Sequence, residues 1–293
     1  MGSKIIEYGG LSIYTEHYGI EKCTPILLIM GATAQGVMWD TAFCEALANN
    51  GLFVIRYDHR DTGKSSRVVY EEHPYYLSDL TSDAIAILDA YNVEKAIFCG
   101  ASMGSFIAQN AAINYRAKVL ALICIMSSPN HLVFIEGFEG RDTYHLGLPA
   151  SDPNILKYYQ TILDVKAETP EDAHNQYLAA LKGIISVPEH LEEVRVFEGR
   201  ILKRLKSKHH IHNHAFALAK SCDLHKSLHT IKQPTLILHG LEDSILPVEH
   251  GRALHHIISQ SEYVEIQEMG QCFTPSIFAK VCAEVTDFAG KLS

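Results

Sequence analysis

The sequence predicts an α/β fold with a mostly parallel central sheet flanked by helices, and three observations support this. Short continuous apolar runs, typical of strands buried on both faces, alternate with segments of helical periodicity. The chain of 293 residues is 47% hydrophobic and 20% charged, which is typical of globular proteins and excludes disordered and fibrous classes. The alternation stops near Pro129 and resumes near Gln233, so a mainly helical lid interrupts the sheet in the sequence.

The predicted elements follow one another regularly along the chain. Gly9 and Gly10 form the turn of a hairpin between alternating segments at residues 4–8 and 11–15. Buried strands are expected at residues 26–30, 52–57, 96–99, 119–125, 235–238 and 263–266. Helices are expected at residues 39–49, 78–91, 103–115, 248–258 and 275–292, and in the lid at 154–166, 170–184, 188–206 and 212–220. We therefore divide the chain into a first core part at residues 1–128, a lid at 129–228 and a second core part at 229–293.

Charge and cysteine content limit the expected partners and location. Lys and Arg number 25 against 34 Asp and Glu, and the formal net charge of −9 argues against nucleic-acid and anionic-membrane partners. The seven cysteines include no CxxC pair, and Cys99 and Cys124 lie within apolar runs, which favours reduced thiols. No segment approaches the ~20 apolar residues of a membrane helix or has the pattern of a signal peptide. We expect a cytoplasmic protein, either a monomer or a homodimer.

A serine lies where a predicted strand passes into a helix, in residues 100–104 (GASMG). This GxSxG pattern is typical of a sharp turn that exposes the serine, with glycines where a side chain would collide with the strand and helix. The backbone N–H of Met103, at the start of the helix, is available to a developing oxyanion. We predict that Ser102 is a nucleophile; the alternative is a structural glycine-rich turn.

These features resemble the α/β hydrolase superfamily over nearly the whole chain. Residues 30–32 (MGA) are similar to the family's HG-type turn, which implies a substrate-lining role for Gly31 and the second oxyanion N–H for Ala32. Residues 58–63 (DHRDTG) resemble the family's DxRGxG turn and are closest in wording to aclacinomycin methylesterase-like hydrolases. Residues 239–247 (HGLEDSILP) resemble HGxxDxxxP, which implies that Asp243 is the acid of a catalytic triad. A cap on the following helix is the alternative role for this carboxylate.

The resemblance implies an α/β hydrolase fold with a helical lid and a reaction that needs no cofactor or metal. It also implies hydrolysis of a carboxylic ester through an acyl-enzyme, with a methyl ester of a bulky aromatic compound as the candidate substrate.

The sequence departs from the family at the position of the catalytic histidine, where Gln271 stands. A glutamine amide can hydrogen-bond to both neighbours, but it has no protonation equilibrium near pH 7 and cannot accept the serine proton. Loss of the base alone costs about 10⁶-fold in kcat in a serine protease, so we expect this chain to be nearly inactive.

Three explanations for Gln271 remain open. It is an engineered substitution, a natural change that leaves a non-catalytic small-molecule binding protein, or a gap that a histidine of the lid fills. The candidates for such a base are His209, His210, His212 and His214, for which a solvated helix face is the simpler interpretation. His210 and His214, one helical turn apart, have a spacing that suits zinc, but no carboxylate or cysteine completes a metal site at close range.

Four other residues lie near the predicted site. Trp39 is a candidate for lining the substrate pocket, and a core tryptophan is an equally good interpretation. His59 and Asp61 are interpreted as structural, because the family turn that they match is structural. Cys272 adjoins the glutamine, but nothing nearby would activate its thiol, so we do not expect a thiol nucleophile.

Overall fold

A mixed sheet of eight strands forms the centre of the structure. The computed structural model describes residues 1–141, 143, 145, 147–163, 169–185, 190, 192–193, 200–201, 204 and 213–292. The strands are β1 (Gly2–Tyr8), β2 (Leu11–Tyr18), β3 (Thr24–Ile29), β4 (Leu52–Tyr57), β5 (Ala96–Ala101), β6 (Val119–Ile125), β7 (Thr235–Gly240) and β8 (Ser261–Ile266). Their order across the sheet is β1-β2-β4-β3-β5-β6-β7-β8, and this confirms the predicted α/β class.

The sheet is antiparallel at one edge and parallel elsewhere. β1 and β2 form the predicted hairpin, whose turn residues Gly9 and Gly10 both have a positive φ (57° and 78°). β2 also pairs antiparallel with β4, and all pairs from β4 to β8 are parallel. The carboxyl ends of the parallel strands therefore meet at one edge, where ligand sites of such sheets lie.

Helices cover both faces of the sheet in the described part of the chain. They are α1 (Thr41–Asn49), α2 (Leu77–Ala90), α3 (Met103–Asn114), α4 (Leu132–Phe138), α5 (Pro153–Leu163), α6 (Pro170–Gly183), α7 (Asn213–Ala219), α8 (Glu249–Ile257) and α9 (Pro275–Gly290). α1 and α9 pack on one face, while α2, α3 and α8 pack on the other. In β3, Ile26 and Leu28 face the first core while Leu27 and Ile29 face the second, which explains why this strand is a continuous apolar run.

The elements that the structure describes between β6 and β7 are all helices, joined by irregular segments, as expected for a lid. α6 and α7 lie within the predicted helices, and α5 begins one residue before its predicted start. Most of the predicted helix at residues 188–206 falls outside the described residues, and α4 was not predicted. The lid is fixed to the core by ion pairs, Arg204 with Glu16 at 2.6 Å and Arg200 with Asp40 at 2.9 Å. Among the described helices, none combines the length and the apolar character needed to cross a bilayer.

Candidate active site

Ser102 lies on the sharp turn between β5 and α3. Its backbone has φ 52° and ψ −118°, a strained conformation for a residue with a side chain. The glycines on either side are required, since a Cβ at Gly100 would collide with the carbonyl of Gly104, and a Cβ at Gly104 would collide with the carbonyl of Ile29. The turn is held by a hydrogen bond from the Ser102 N–H to the Ile125 carbonyl (2.9 Å), and the serine side chain is partly exposed.

The turn after β3 passes directly beside this serine. A Cβ built at Gly31 would lie 3.3 Å from the Cβ of Ser102 and 3.9 Å from its Oγ, so a larger residue there would crowd the serine Cβ. Ala32 follows in the same turn, and the first N–H of α3 belongs to Met103. A helix leaves the N–H groups of its first turn without intrahelical acceptors, which makes them available to an anion.

Gln271 joins Ser102 to Asp243. The Gln271 amide, oriented by its neighbours, donates from nitrogen to both carboxylate oxygens of Asp243, with 3.0 Å to Oδ1, and accepts at oxygen from Ser102 Oγ at 3.0 Å. The opposite orientation would give only a long bond to the Met126 carbonyl (3.4 Å) and would turn the amide oxygen towards the carboxylate. The three residues predicted as a triad-like set are therefore in contact.

Asp243 is buried, and its surroundings explain its proton affinity. Loss of solvation raises the pKa of this carboxyl to about 7, although backbone N–H groups of Leu246 (2.8 Å) and Ile245 (2.9 Å) donate to Oδ1 and favour the ionised form. These two bonds also explain why an acidic residue fits the start of the loop. The carboxylate thus serves both the loop and Gln271.

His239 packs beside this carboxylate and holds the loop that follows it, a role that was not recognised in the sequence. Its Nε2 donates to the Leu246 carbonyl at 2.7 Å and lies 3.6 Å from Asp243 Oδ2. Burial lowers the pKa of His239 to about 4, so the imidazole is neutral and the longer contact is not an ion pair. The histidine of the HGxxD pattern was the available signal, but the pattern alone does not show where its side chain points.

Trp39 is a core residue, so its predicted place in the substrate pocket is wrong. The side chain is completely buried and packs against Phe273 (4.9 Å between ring centroids), Phe43 (5.6 Å) and Phe278 (6.2 Å). Cys272 is also buried, and burial raises the pKa of its thiol to about 12, which agrees with the expectation that it is not a nucleophile.

His214 belongs to the interior and not to a solvated helix face, so the simpler interpretation of the histidine cluster is wrong at this position. Its Nδ1 accepts from the Thr33 N–H and its Nε2 donates to the Arg60 carbonyl, both at 2.9 Å. With both nitrogens engaged, His214 is not free to accept the proton of a serine. The other candidates, at positions 209, 210 and 212, lie outside the described residues, within which no group of three metal-binding side chains occurs.

His59 and Asp61 hold backbone, as expected from the turn that they belong to. Asp61 accepts from the Val68 N–H (2.7 Å), the Tyr75 hydroxyl (2.7 Å) and the Asn213 amide (3.0 Å). Its φ of 70° explains why the related turns prefer glycine at this position. His59 Nε2 donates to the Met30 carbonyl at 2.9 Å.

Comparison with known proteins identifies the class to which this fold and turn geometry belong. The profile of the family described as alpha/beta hydrolase fold matches residues 24–273, so the chain belongs to that family. It is similar to rhodomycin D methylesterase DnrP of Streptomyces peucetius, with 28% identity over 97% of each chain. It is also 44% identical to 3-oxoadipate enol-lactonase 2 of Acinetobacter baylyi over 233 residues, which cover 77% of this chain and 75% of the relative. Esterase RhEst1 of a Rhodococcus species has the same fold, with a TM-score of 0.76, 19% identity and full coverage of both chains.

Proposed function

We propose that this chain is a serine hydrolase for carboxylic esters whose general base has been replaced by Gln271. The contact of Gln271 with both Ser102 and Asp243 carries the proposal, because a triad histidine makes these same two hydrogen bonds. The methylesterase and the lactonase among its relatives both act, by their names, on carboxylic esters. From its similarity to the first of these relatives, we propose a methyl ester of a bulky aromatic compound as the substrate of this chain.

Each residue has a definite role in the proposed reaction. Ser102 attacks the ester carbonyl, and the N–H groups of Ala32 and Met103 bind the oxyanion of the tetrahedral intermediate. The alcohol then leaves and an acyl-Ser102 forms, which water hydrolyses. Asp243 orients whatever occupies the position of the base and stabilises it when protonated.

Gln271 blocks the first proton transfer of this reaction. Its amide oxygen accepts the Ser102 hydrogen bond but does not remove the proton at neutral pH, so the serine stays a weak nucleophile. The chain as it stands should therefore turn over esters several orders of magnitude more slowly than a variant with an imidazole at position 271. A cytoplasmic location and a monomeric or homodimeric state remain predictions.

The alternative function is that of a small-molecule binding protein on the same scaffold. The closed hydrogen-bond set of Ser102, Gln271 and Asp243 favours it, since every member is satisfied without a titratable base. In this case the site would bind an ester or a related ligand and release it unchanged.

Hydrolysis of p-nitrophenyl acetate by the chain and by Gln271→His tests the proposal. Gln271→Asn is the matched control, because it changes the residue without supplying a base, and Ser102→Ala in the histidine background shows whether turnover uses the serine. Strong activity only with histidine and serine together is the expected result. If no variant hydrolyses any ester of a broad panel while a small molecule binds tightly, the hydrolase proposal is wrong. Serine-dependent activity in the chain as it stands would instead require another base.

A further inference from the structure

Two buried imidazoles hold the main chain on either side of the turn that carries Ala32. His59 Nε2 donates to the carbonyl of Met30 at 2.9 Å, and His214 Nδ1 accepts from the N–H of Thr33 at 2.9 Å. The two rings pack edge to face, with 5.6 Å between centroids and 81° between planes. Both side chains are 1% exposed.

We infer that His214 and His59 are positioning residues of the oxyanion hole, which together fix the direction of the Ala32 N–H. This inference rests on the proposed function, since the direction of that N–H matters only if Ser102 forms an acyl-enzyme. It assigns to His214 a role other than that of a substitute base. Neither imidazole would touch the substrate.

The geometry of the main chain shows how the two contacts act on the Ala32 N–H. The Met30 carbonyl belongs to the peptide plane before Gly31, and the Thr33 N–H belongs to the plane after Ala32. The plane between these two carries the Ala32 N–H. With the outer two planes fixed, the middle plane can turn only about the line that joins the Cα atoms of Gly31 and Ala32. A full flip would move Ala32, whose φ is negative, into the positive-φ region that a residue with a side chain rarely occupies.

Thr33 gives the contact from His214 particular weight. Its φ is 65°, in the left-handed region that a β-branched residue rarely occupies, so the turn needs an external contact to hold this conformation. The hydrogen bond from the Thr33 N–H to the imidazole supplies it. Without that acceptor, the turn can relax towards commoner torsions and carry the Ala32 N–H away from the oxyanion.

The protonation state of His214 is fixed by its second contact. A carbonyl can only accept, so Nε2 carries the proton that binds the Arg60 carbonyl, and Nδ1 is left with a lone pair for the Thr33 N–H. Burial, with Arg60 and Arg67 nearby, lowers the pKa of His214 despite Asp61. Burial likewise lowers the pKa of His59 to about 3, so both rings are neutral at physiological pH.

We call the two contacts of His59 and His214 on the turn the clamp, and the lid contributes one half of it. His214 is the second residue of α7, and Asn213 before it donates to Asp61 Oδ2 (3.0 Å) and to the Val68 carbonyl (3.1 Å). α7 is thereby docked on the core beside the turn. The clamp therefore links the seating of a lid helix to the shape of the oxyanion hole.

Two substitutions separate the two hydrogen bonds of His214. In His214→Asn the amide oxygen can take the place of Nδ1 and accept from Thr33, whereas in His214→Gln the amide nitrogen can take the place of Nε2 and donate to Arg60. His214→Phe retains the ring but makes neither bond. The matched pair at the other side of the clamp is His59→Gln, which retains a donor for Met30, and His59→Leu, which does not.

Hydrolysis of p-nitrophenyl acetate in the Gln271→His background is the first measurement. We expect His214→Gln, His214→Phe and His59→Leu to lower kcat by about 10-fold or more, up to the 10²- to 10³-fold known for losing an oxyanion donor. We expect KM to change less than about twofold, because the turn binds the transition state more than the ester. His214→Asn and His59→Gln should stay within about threefold of the parent in kcat.

Hydrogen exchange of the peptide covering residues 30–34, followed by mass spectrometry, is the second measurement, and it needs no turnover. These variants are made in the chain that keeps Gln271. The Thr33 N–H should stay protected from exchange in His214→Asn and should exchange faster than in the parent chain in His214→Gln and His214→Phe. Thermal unfolding identifies any variant that has lost its fold. If the His214 variants do not fold, the comparison of His59→Gln with His59→Leu tests the clamp instead.

The outcomes distinguish the clamp from the proposed function. Equal losses of kcat in His214→Asn and His214→Gln, or a loss confined to KM, would overturn the positioning role. Equal exchange of the Thr33 N–H in all variants would overturn the clamp whatever the hydrolysis shows. If Gln271→His hydrolyses no ester, the proposed function fails on its own, and faster exchange in only the expected variants would still support the clamp.

Discussion

Asp243→Asn is expected to stabilise the chain at neutral and alkaline pH. Burial raises the pKa of the Asp243 carboxyl from 3.8 to about 7, so the folded chain binds a proton that the unfolded chain has already released. The contribution of Asp243 to the free energy of unfolding is therefore fully present below pH 3.8 and is lost as the pH rises to about 7. At about 1.4 kcal/mol for each pH unit between these values, the ionised carboxylate costs about 4 kcal/mol at pH 8.

This cost is an upper limit, and the structure shows why. The Gln271 amide donates to both carboxylate oxygens, which favours the ionised form and opposes the effect of burial. Asparagine retains an oxygen for the N–H groups of Ile245 and Leu246, and its nitrogen faces Gln271, whose amide can turn to accept. We therefore expect a gain of about 1–3 kcal/mol in the free energy of unfolding at pH 8 and almost none at pH 4.

Urea denaturation at pH 4, 6 and 8 measures the effect directly. The difference between the chain and Asp243→Asn should grow with pH through this range, while the denaturant dependence of unfolding stays the same. A difference that does not depend on pH, or a loss of stability at pH 8, would refute the reasoning from burial.

In the Gln271→His background, the same substitution should lower ester hydrolysis. There the carboxylate must hold the imidazole in the correct tautomer, and its replacement by an amide lowers kcat by about 10⁴-fold in a serine protease. Asp243→Asn should thus abolish hydrolysis of p-nitrophenyl acetate in that variant. Full activity of the double variant would show that Asp243 is not the acid of the site.

Three further substitutions test the packing that places the site. Gly104→Ala should destabilise the fold by about 3 kcal/mol or more in urea denaturation, because its Cβ meets the carbonyl of Ile29, whereas Gly31→Ala, with 3.3 Å to the nearest side-chain atom, should cost about 1 kcal/mol. Equal costs would contradict this account. Asp83→Ala should cost about 3 kcal/mol, since it leaves the guanidinium of Arg60, whose side chain is only 11% exposed, without the carboxylate that accepts two hydrogen bonds from it (2.7 and 2.8 Å). A loss below about 1 kcal/mol would show that solvent reaches the pair.

The fold was predictable from the sequence where the cause is local. The turn at residues 100–104 is recognisable from its two glycines, because only glycine fits against the carbonyls that surround these positions. The described flanking helices begin and end within two residues of their predicted bounds, as for 275–292 against Pro275–Gly290. The apolar segment Leu132–Phe138 was missed as a helix, because it has no polar face to reveal its period.

The surroundings of the site could be predicted only in part, because they depend on contacts between distant residues. Trp39 is buried by Phe273 and Phe278, which lie more than 200 positions away, and no local pattern distinguishes this from a pocket wall. His214 similarly meets Thr33 across 181 positions of sequence. Such contacts follow from how distant parts of the chain pack together, the two core parts at Trp39 and the lid on the core at His214, which residue periodicity does not specify.

Gln271 shows that the architecture of the site and its chemistry are separable. The amide presents a donor nitrogen to Asp243 and an acceptor oxygen to Ser102, as the two nitrogens of a neutral imidazole would, so both neighbours keep a hydrogen-bond partner. What the amide lacks is affinity for a proton, a property on which the packing of this site does not depend. Substitutions that preserve both hydrogen bonds at 271 but change proton affinity are therefore the informative ones for function, and those that disturb the turn geometry are informative for the oxyanion hole.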